Sequence, residues 1–402
     1  MTGDGRGTGT LLCVAVVTLS LALPAIADAQ DTRAEQIAAK QREKAQKLAP
    51  YQPNGFERAM TRIEANFASP PSGFFPSFNS IYSGGGFTFG GGYRRFFKRN
   101  AVWDVVGHYS IKNYKQIEVG ARTPWAGHGK WTLGVRAGWL DAPQVGYFGT
   151  GGDLDQPRTN FRLSQSHATL TATVRPTTWT RLEGEVAYEA YETDEGHGAH
   201  PSIETIYTPA TAPGLFANPT FIRTEGMAAI DWRPASGYAR RGGFYGVTFA
   251  NLADLDDTFT FQRLDGEVIQ HIPILRETWV ISLRGRVQTT LDAGDVVPYF
   301  LLPQLGSGST LRGYSTGRLR DRHSLLTSAE FRWIPSRLAL DLALFYDAGK
   351  VANRREDLDF EDLVTNWGLG VRFHGPTTTA LRIELAHGSD GLKLVFAASA
   401  AF

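Results

Sequence analysis

Cysteine is almost absent from this chain, since Cys13 is the only one among 402 residues. It lies inside the apolar run 11–26, which is followed by Ala-Asp-Ala at 27–29, a plausible A-x-A cleavage site of a secretory signal peptide. Removal of residues 1–29 leaves a mature chain without a thiol, which excludes disulfides and thiolate metal sites. The alternative, a membrane anchor, needs about 20 apolar residues.

An excess of one charge is also lacking. The chain has 41 Lys and Arg against 40 Asp and Glu, a formal net charge of +1, so nothing points to a nucleic-acid partner. After residue 29 there is no apolar run long enough for a membrane helix. Glycine (44 residues) and aromatic side chains (12%) are plentiful, which favours β structure and in particular membrane barrels.

The segment 30–71 differs in composition from the rest. Good helix formers over 31–48 predict a helix that ends before Pro50. Apolar residues with helical spacing predict a second short helix over 54–67. We interpret 30–71 as a short helical periplasmic extension. Its 31–67 helices are either a solvated spacer or a surface for a periplasmic partner.

From residue 72 onward the hydrophobic period is two. In segments such as 131–139 and 381–385, apolar residues alternate with polar, often charged ones, so each strand has one apolar and one polar face. Such strands are long enough for a tilted bilayer crossing. We therefore predict an all-β fold for residues 72–402, a transmembrane antiparallel β-barrel of about 16 strands; a soluble β-sandwich is the alternative. The strands are expected near 73–82, 86–96, 101–111, 115–124, 130–140, 161–174, 179–191, 220–232, 242–252, 259–271, 278–290, 323–333, 338–347, 365–374, 379–387 and 392–402.

An even strand count places both barrel ends on the periplasmic side and the long connections outside, near 141–160, 192–219, 291–322 and 348–364. The last strand alternates and finishes on an aromatic residue, so Phe396 and Phe402 resemble the C-terminal insertion signal of outer-membrane proteins. We expect the mature protein in the outer membrane of a Gram-negative-type bacterium, surrounded by lipid and lipopolysaccharide.

A tetrapeptide in the connection 291–322 is the most specific signal. It reads Leu311, Arg312, Gly313, Tyr314 and resembles the (V/L)RG(F/Y) motif in the sixth outer loop of the BamA/TamA superfamily, the bacterial surface antigen family. Three later segments are similar to strands of that family: 327–331 with Glu330, 345–349 with Phe345, Asp347 and Gly349, and 368–372 with Gly368 and Gly370. The resemblance implies an inward-folded loop whose arginine stabilises a state able to handle client proteins. It also implies a weakly paired lateral seam between the first and last strands.

The strand period supports this placement independently. Glu330 shares a face with Ser328 and Arg332, and Asp347 shares one with Asp341, so both carboxylates should point into the barrel. The planar guanidinium of Arg312 can bind one or both of them as a directional fork. Gly313 would allow a tight turn, and Tyr314 could pack on the inner wall.

The seam leaves two interpretations open. Gly90, Gly91 and Gly92 in the second strand and Pro76 in the first predict an N-terminal edge that pairs poorly. The same glycines would also relieve curvature strain in a small barrel. Sequence alone does not separate these two explanations.

The expected function follows from the resemblance and from one departure from it. The segment 30–71 is too short for the periplasmic POTRA domains of BamA-like and TamA-like proteins. We expect a protein that assists insertion or translocation of unfolded outer-membrane proteins. A passive pore, or a structural or surface-antigen barrel presenting 192–219, is the alternative.

No catalytic, metal or cofactor site is expected. His197 and His200 lie near acidic residues in an outer connection, but this spacing is weak evidence for a metal. His108 and His167 have no serine partner that the pattern can place. No glycine-rich phosphate loop precedes a helix. The protein is therefore not expected to be an enzyme.

Overall fold

The structure, a computed structural model, describes residues 35–43, 55, 58, 72–97, 101–275, 277–291, 297–335 and 339–402. Within the first of two compact units, Met1–Asn54, residues 35–43 are helical. The expected signal peptide and most of the expected second helix lie outside the described residues. No described helix combines the length and the apolar character needed to cross a membrane.

The second unit, Gly55–Phe402, contains one antiparallel sheet of 16 strands, each paired with its neighbours in chain order. This confirms the predicted all-β barrel and its strand number. The strands are β1 Gly73–Ser77, β2 Thr88–Phe97, β3 Ala101–Ser110, β4 Lys115–Arg122, β5 Trp131–Tyr147, β6 Thr159–Val174, β7 Thr180–Glu195, β8 Thr220–Asp231, β9 Gly242–Asp254, β10 Phe261–Ile274, β11 Trp279–Leu291, β14 His323–Trp333, β15 Leu340–Ala352, β16 Val364–His374, β17 Thr379–Gly388 and β18 Gly391–Ala397. The short strands β12 Gln304–Leu305 and β13 Leu319–Arg320 form a separate ladder.

The two faces of the sheet have opposite character. On β15, Leu342, Leu344 and Tyr346 are exposed on the outer face, whereas Asp341 and Asp347 are buried on the inner face. The same alternation occurs on β14, where Phe331 is exposed and Glu330 buried. An apolar outer band with charged residues inside is the pattern of a barrel surrounded by lipid.

Long connections join the strands at one end of the barrel, the outer end. Here β5, β6 and β7 extend further than predicted, because their additional residues pack against the connections. The Tyr299 ring lies 5.1 Å from that of Tyr147 and 4.9 Å from that of Phe161. Ile203 and Leu215 of the connection 196–219 belong to the same buried cluster. The outer end of the lumen is therefore filled by an apolar core, which we call the outer core.

The first and last strands are paired on one side only. β1 pairs with β2 and β18 with β17, and no ladder joins β1 to β18 in the part of the chain that the structure describes. β1 is shorter than predicted and ends at Ser77, one residue after Pro76. The site between β1 and β18 is the seam, with a row of backbone groups along each edge.

The C-terminus differs from its prediction. The strand expected over 392–402 ends at Ala397, and Phe402 lies beyond it. The Phe402 ring is 6.4 Å from the ring of His271 and 5.8 Å from the Arg284 guanidinium carbon. Both of these residues belong to the inner face, so Phe402 turns toward the lumen and away from the lipid face where Phe396 is exposed.

Candidate functional site

The long connection between β11 and β14 folds back into the lumen. Its apolar residues Leu305, Leu311, Tyr314 and Leu319 form a buried cluster with Leu326 and Val351 of the wall. Each fully buried leucine contributes about 1.5–3 kcal/mol relative to an exposed one. Packing therefore brings the loop to the wall, and the polar contacts described next determine where on the wall it is held.

Arg312 lies at the centre of these polar contacts and is 2% exposed. It binds Asp347 in a bidentate manner, with Nε 2.9 Å from Oδ2 and Nη2 2.8 Å from Oδ1. Nη1 donates more weakly to Glu330 Oε2 at 3.2 Å and to Glu384 Oε1 at 3.3 Å. The guanidinium carbon lies 3.5 Å from the centre of the Phe345 ring, a cation–π contact. Asp347 is thus the main partner, and Glu384 is a partner that sequence reasoning missed.

Glu330 is bound chiefly by a different arginine. Arg372 Nη1 donates to Glu330 Oε1 at 2.6 Å, and its Nη2 also contacts Glu330. Arg372 Nη2 reaches Glu384 Oε1 at 2.8 Å as well, and Arg382 Nη1 donates to Glu384 Oε2 at 2.7 Å. The period-two pattern of β16 and β17 could have placed these residues on the inner face. It could not have given the register that brings them together.

The buried charges balance one another. Four arginines and four carboxylates on the inner wall and the loop form one network with no net formal charge, and all eight are buried. The members are Arg312, Arg332, Arg372, Arg382, Glu330, Asp341, Asp347 and Glu384. Removal of one member leaves a buried charge without compensation, which costs about 3–5 kcal/mol.

Gly313 and Tyr314 place the loop against β16 and β17. An added Cβ at Gly313 would lie 2.7 Å from Asn366 Cβ and 2.9 Å from Gly388 N, so only glycine fits. The Tyr314 hydroxyl donates to Thr365 O at 2.9 Å and accepts from Ser389 N at 3.1 Å. These two residues allow the backbone of the loop to touch the wall directly.

Three further glycines of the motif segments lie on the same part of the wall. Gly368 leaves room for the Phe345 ring, which a Cβ would overlap, and Gly370 faces Glu384. Gly349 faces the backbone of Leu325 and the side chain of Leu305. The wall is therefore shaped to admit the aromatic ring beneath Arg312.

A turn at the opposite, inner end also enters the lumen. It connects β8 to β9 and spans residues 232–241. Its buried Tyr238 places the hydroxyl 2.9 Å from both carboxylate oxygens of Asp341. The ring stacks on His374 with centroids 3.9 Å apart. Burial raises the pKa of the Tyr238 hydroxyl and the Asp341 carboxylate raises it further, so the hydroxyl stays protonated and donates.

Two more contacts fasten this turn. Gly237 O accepts from Thr379 N at 3.0 Å, and Arg332 donates to Ala239 O. The turn therefore crosses from β8 and β9 to β14, β15, β16 and β17. Tyr238, an aromatic residue in a connection between two strands, is the sequence signal that could have indicated it.

One histidine departs from its prediction. Ser77 Oγ lies 2.8 Å from His108 Nε2, although the sequence pattern placed no serine there. The two residues meet because Gly90, between them on β2, has no side chain. His108 Nδ1 is buried without a hydrogen-bond partner, so no carboxylate orients the ring as in a Ser-His-Asp triad. The nearest ionic contact of His167 is Glu118 at 3.8 Å.

The two histidines of the outer connection that were considered as weak metal candidates are exposed. His197 and His200 lie at the surface of the connection 196–219. Among the residues that the structure describes, no group of three or more His, Cys, Asp or Glu is placed to hold a metal.

Comparison with known proteins gives a domain match and structural relatives. Residues 96–390 match the Omp85 superfamily domain. The fold is similar to BamA from Haemophilus ducreyi lacking POTRA domains 1–3, with a TM-score of 0.60 and 12% identity over 80% of this chain and 68% of that chain. It is also similar to CdiB from Escherichia coli, with a TM-score of 0.52 and 12% identity over 81% of this chain and 60% of that one. A search of curated proteins gives no match, and neither the domain nor these relatives indicate an enzyme family.

Proposed function

The chain belongs to the Omp85 superfamily, whose barrels are outer-membrane proteins of Gram-negative bacteria, and from this premise we propose that it assists insertion or translocation of proteins at the outer membrane. The observation that carries the proposal is the combination of a seam, whose two edges pair with no strand among the described residues, and a lumenal loop fastened to the wall next to it. The clients would be unfolded outer-membrane proteins.

The seam supplies a template for a client strand. In the described part of the chain the seam edges of β1 and β18 have no strand partner and present rows of N–H and C=O groups, and such edges pair readily with another chain. Strand addition of this kind derives its affinity from main-chain hydrogen bonds and tolerates many client sequences. A barrel that accepts different clients needs this tolerance.

The motif Leu311, Arg312, Gly313 and Tyr314 acts in this proposal as a loop lock. Arg312 binds Asp347 and Glu330 and so holds the loop at a fixed height on the wall. Through Glu384 the lock also reaches β17, which is one strand from the seam. Holding the loop there would keep β17 and β18 in a state that can receive a client.

The remaining segments complete the proposal. Residues 1–29 would be cleaved as a signal peptide, and 30–71 would form a periplasmic extension able to dock a periplasmic partner. Phe396, exposed on the lipid face of β18, would act with Phe402 in the signal by which the barrel itself is inserted. The apolar outer band would contact lipid, and the outer end would contact lipopolysaccharide.

The test is a reconstitution assay. Liposomes containing the purified protein should accelerate folding of a second, urea-denatured barrel protein, relative to liposomes containing an unrelated porin at the same protein-to-lipid ratio. Equal folding rates in the two preparations would refute the proposal. Ion conductance without acceleration would identify the passive-pore alternative.

The surface-antigen alternative has less support. Ile203, Tyr207, Ala212 and Leu215 of the connection 196–219 are buried in the outer core. Much of the apolar surface that this connection could offer to an external ligand is therefore used within the barrel.

A further inference from the structure

A second arginine of the lumenal loop joins this loop to two other outer segments. Arg318 is 6% exposed. Its Nε donates to Asp390 Oδ1 at 3.1 Å, in the turn between β17 and β18. Its Nη1 donates to Gln156 O at 3.0 Å and its Nη2 to Leu154 O, both in the connection between β5 and β6. The guanidinium also lies 4.6 Å from the centre of the Phe148 ring.

The turn between β17 and β18 is held by the loop at several points. Ser315 N donates to Asp390 Oδ2 at 3.2 Å, so both oxygens of Asp390 bind the loop. Lys393 Nζ lies 3.2 Å from Ser315 Oγ. Ser389 N donates to the Tyr314 hydroxyl. These contacts are made by residues outside the Arg312 network.

The position of this turn determines the position of one seam edge. β18 pairs with β17 through Arg382 to Gly388, and its other edge pairs with no strand among the described residues. A strand held on one side only frays easily at its ends. The contacts of Asp390 therefore act at the outer end of β18, where the hairpin begins.

We propose that Arg318 is a positioning residue that acts through Asp390 to fix the β17–β18 hairpin, and with it the β18 edge of the seam. Arg318 also binds the backbone of Leu154 and Gln156. The position of the hairpin is therefore fixed relative to the connection between β5 and β6. Release of the Arg318–Asp390 pair lets the β18 edge move. The purpose of that movement, admission of a client strand, rests on the proposed function, but the positioning itself does not.

The experiment measures hydrogen exchange of backbone amides in the full mature chain in lipid nanodiscs. In Asp390→Ala the β18 amides that pair with β17 should exchange about tenfold faster, since hydrogen bonds to charged groups are lost at the hairpin. Amides of β14 and β15 should keep their rates. Asp390→Glu, which retains the carboxylate, should restore at least half of the protection. If Asp390→Ala does not fold, Arg318→Gln is measured in its place with the same expectation.

The matched control is Asp359→Ala. It removes another outer ion pair, Lys350 Nζ to Asp359 Oδ1 at 2.6 Å, in the connection between β15 and β16. This variant should leave the β18 amides unchanged. Unchanged β18 amides in Asp390→Ala, or equal acceleration in every strand, would overturn the positioning role.

The client assay separates this inference from the proposed function. Faster β18 exchange together with an altered rate of client folding supports both. Faster β18 exchange with an unaltered rate of client folding supports the positioning by Arg318. It refutes the use of the β18 edge by clients.

Discussion

Removal of the Arg312 side chain tests the lock most directly. In Arg312→Ala, Asp347 retains only Asn366 Nδ2, at 2.9 Å, among its side-chain donors. Glu330 retains Arg372, and Glu384 retains Arg372 and Arg382. The uncompensated charge therefore falls on Asp347, and the network changes from neutral to −1.

The expected loss is about 3–5 kcal/mol, the cost of breaking a buried pair from one side. The assay is the temperature at which the folded, fast-migrating band disappears on a detergent gel, which should fall clearly below that of the parent protein. Arg354→Ala is the matched control. It removes an arginine whose side chain is 68% exposed and which binds Glu356, so its effect should be about 0–1 kcal/mol.

A double-mutant cycle then assigns the effect to the pair. Asp347→Asn removes the charge and keeps the shape, so in combination with Arg312→Ala it should cost much less than the sum of the single changes. An unchanged unfolding temperature in Arg312→Ala would show that the lock does not stabilise the barrel. Strictly additive effects in the cycle would show that Arg312 does not act through Asp347.

Three other predictions concern the remaining contacts. Tyr238→Phe removes the hydroxyl that binds Asp341 and should lower stability by about 1–3 kcal/mol, measured by the same gel assay; no shift would mean that ring stacking and backbone contacts hold the turn without the hydroxyl. Gly313→Ala should destabilise the barrel as strongly as loss of Arg312, whereas Gly226→Ala, where nothing lies within 4 Å of the added Cβ, should be neutral in the parallel melt. Ile203→Ala should cost about 2–5 kcal/mol and increase proteolysis of the connection 196–219; resistance equal to that of the parent would contradict a packed outer core.

The wall of the barrel could be predicted because the pattern that specifies it lies within each strand. Alternation with a period of two assigns each side chain to a face without knowledge of distant strands. That rule placed Glu330 and Asp347 on the inner wall, and the family motif directed attention to Arg312. Strand ends were less accurate where, as at Tyr147, the extra residues owe their conformation to packing against another connection.

The missed features depend on distant parts of the chain. Glu384 reaches Arg312 because the registers of three successive strand pairs, from β14 to β17, together set its position. No pattern within a single strand determines these registers. Tyr238 crosses the lumen to a wall more than a hundred residues away in sequence. Phe402 leaves its strand because an aromatic and cationic site, made by His271 and Arg284, is available on the inner wall.

The inner turn with Tyr238 has a mechanical consequence. It acts as a cross-link inside the barrel, because it ties β8 and β9 to β14 through β17 at the inner end. While Asp341 and His374 bind this turn, the distance between the two groups of strands is fixed. Any widening of the barrel must then be taken up by bending in the strands outside this tie, β18 and β1 to β7. The inner end of the barrel is thus stiffer from β8 to β17 than on the side that contains the seam.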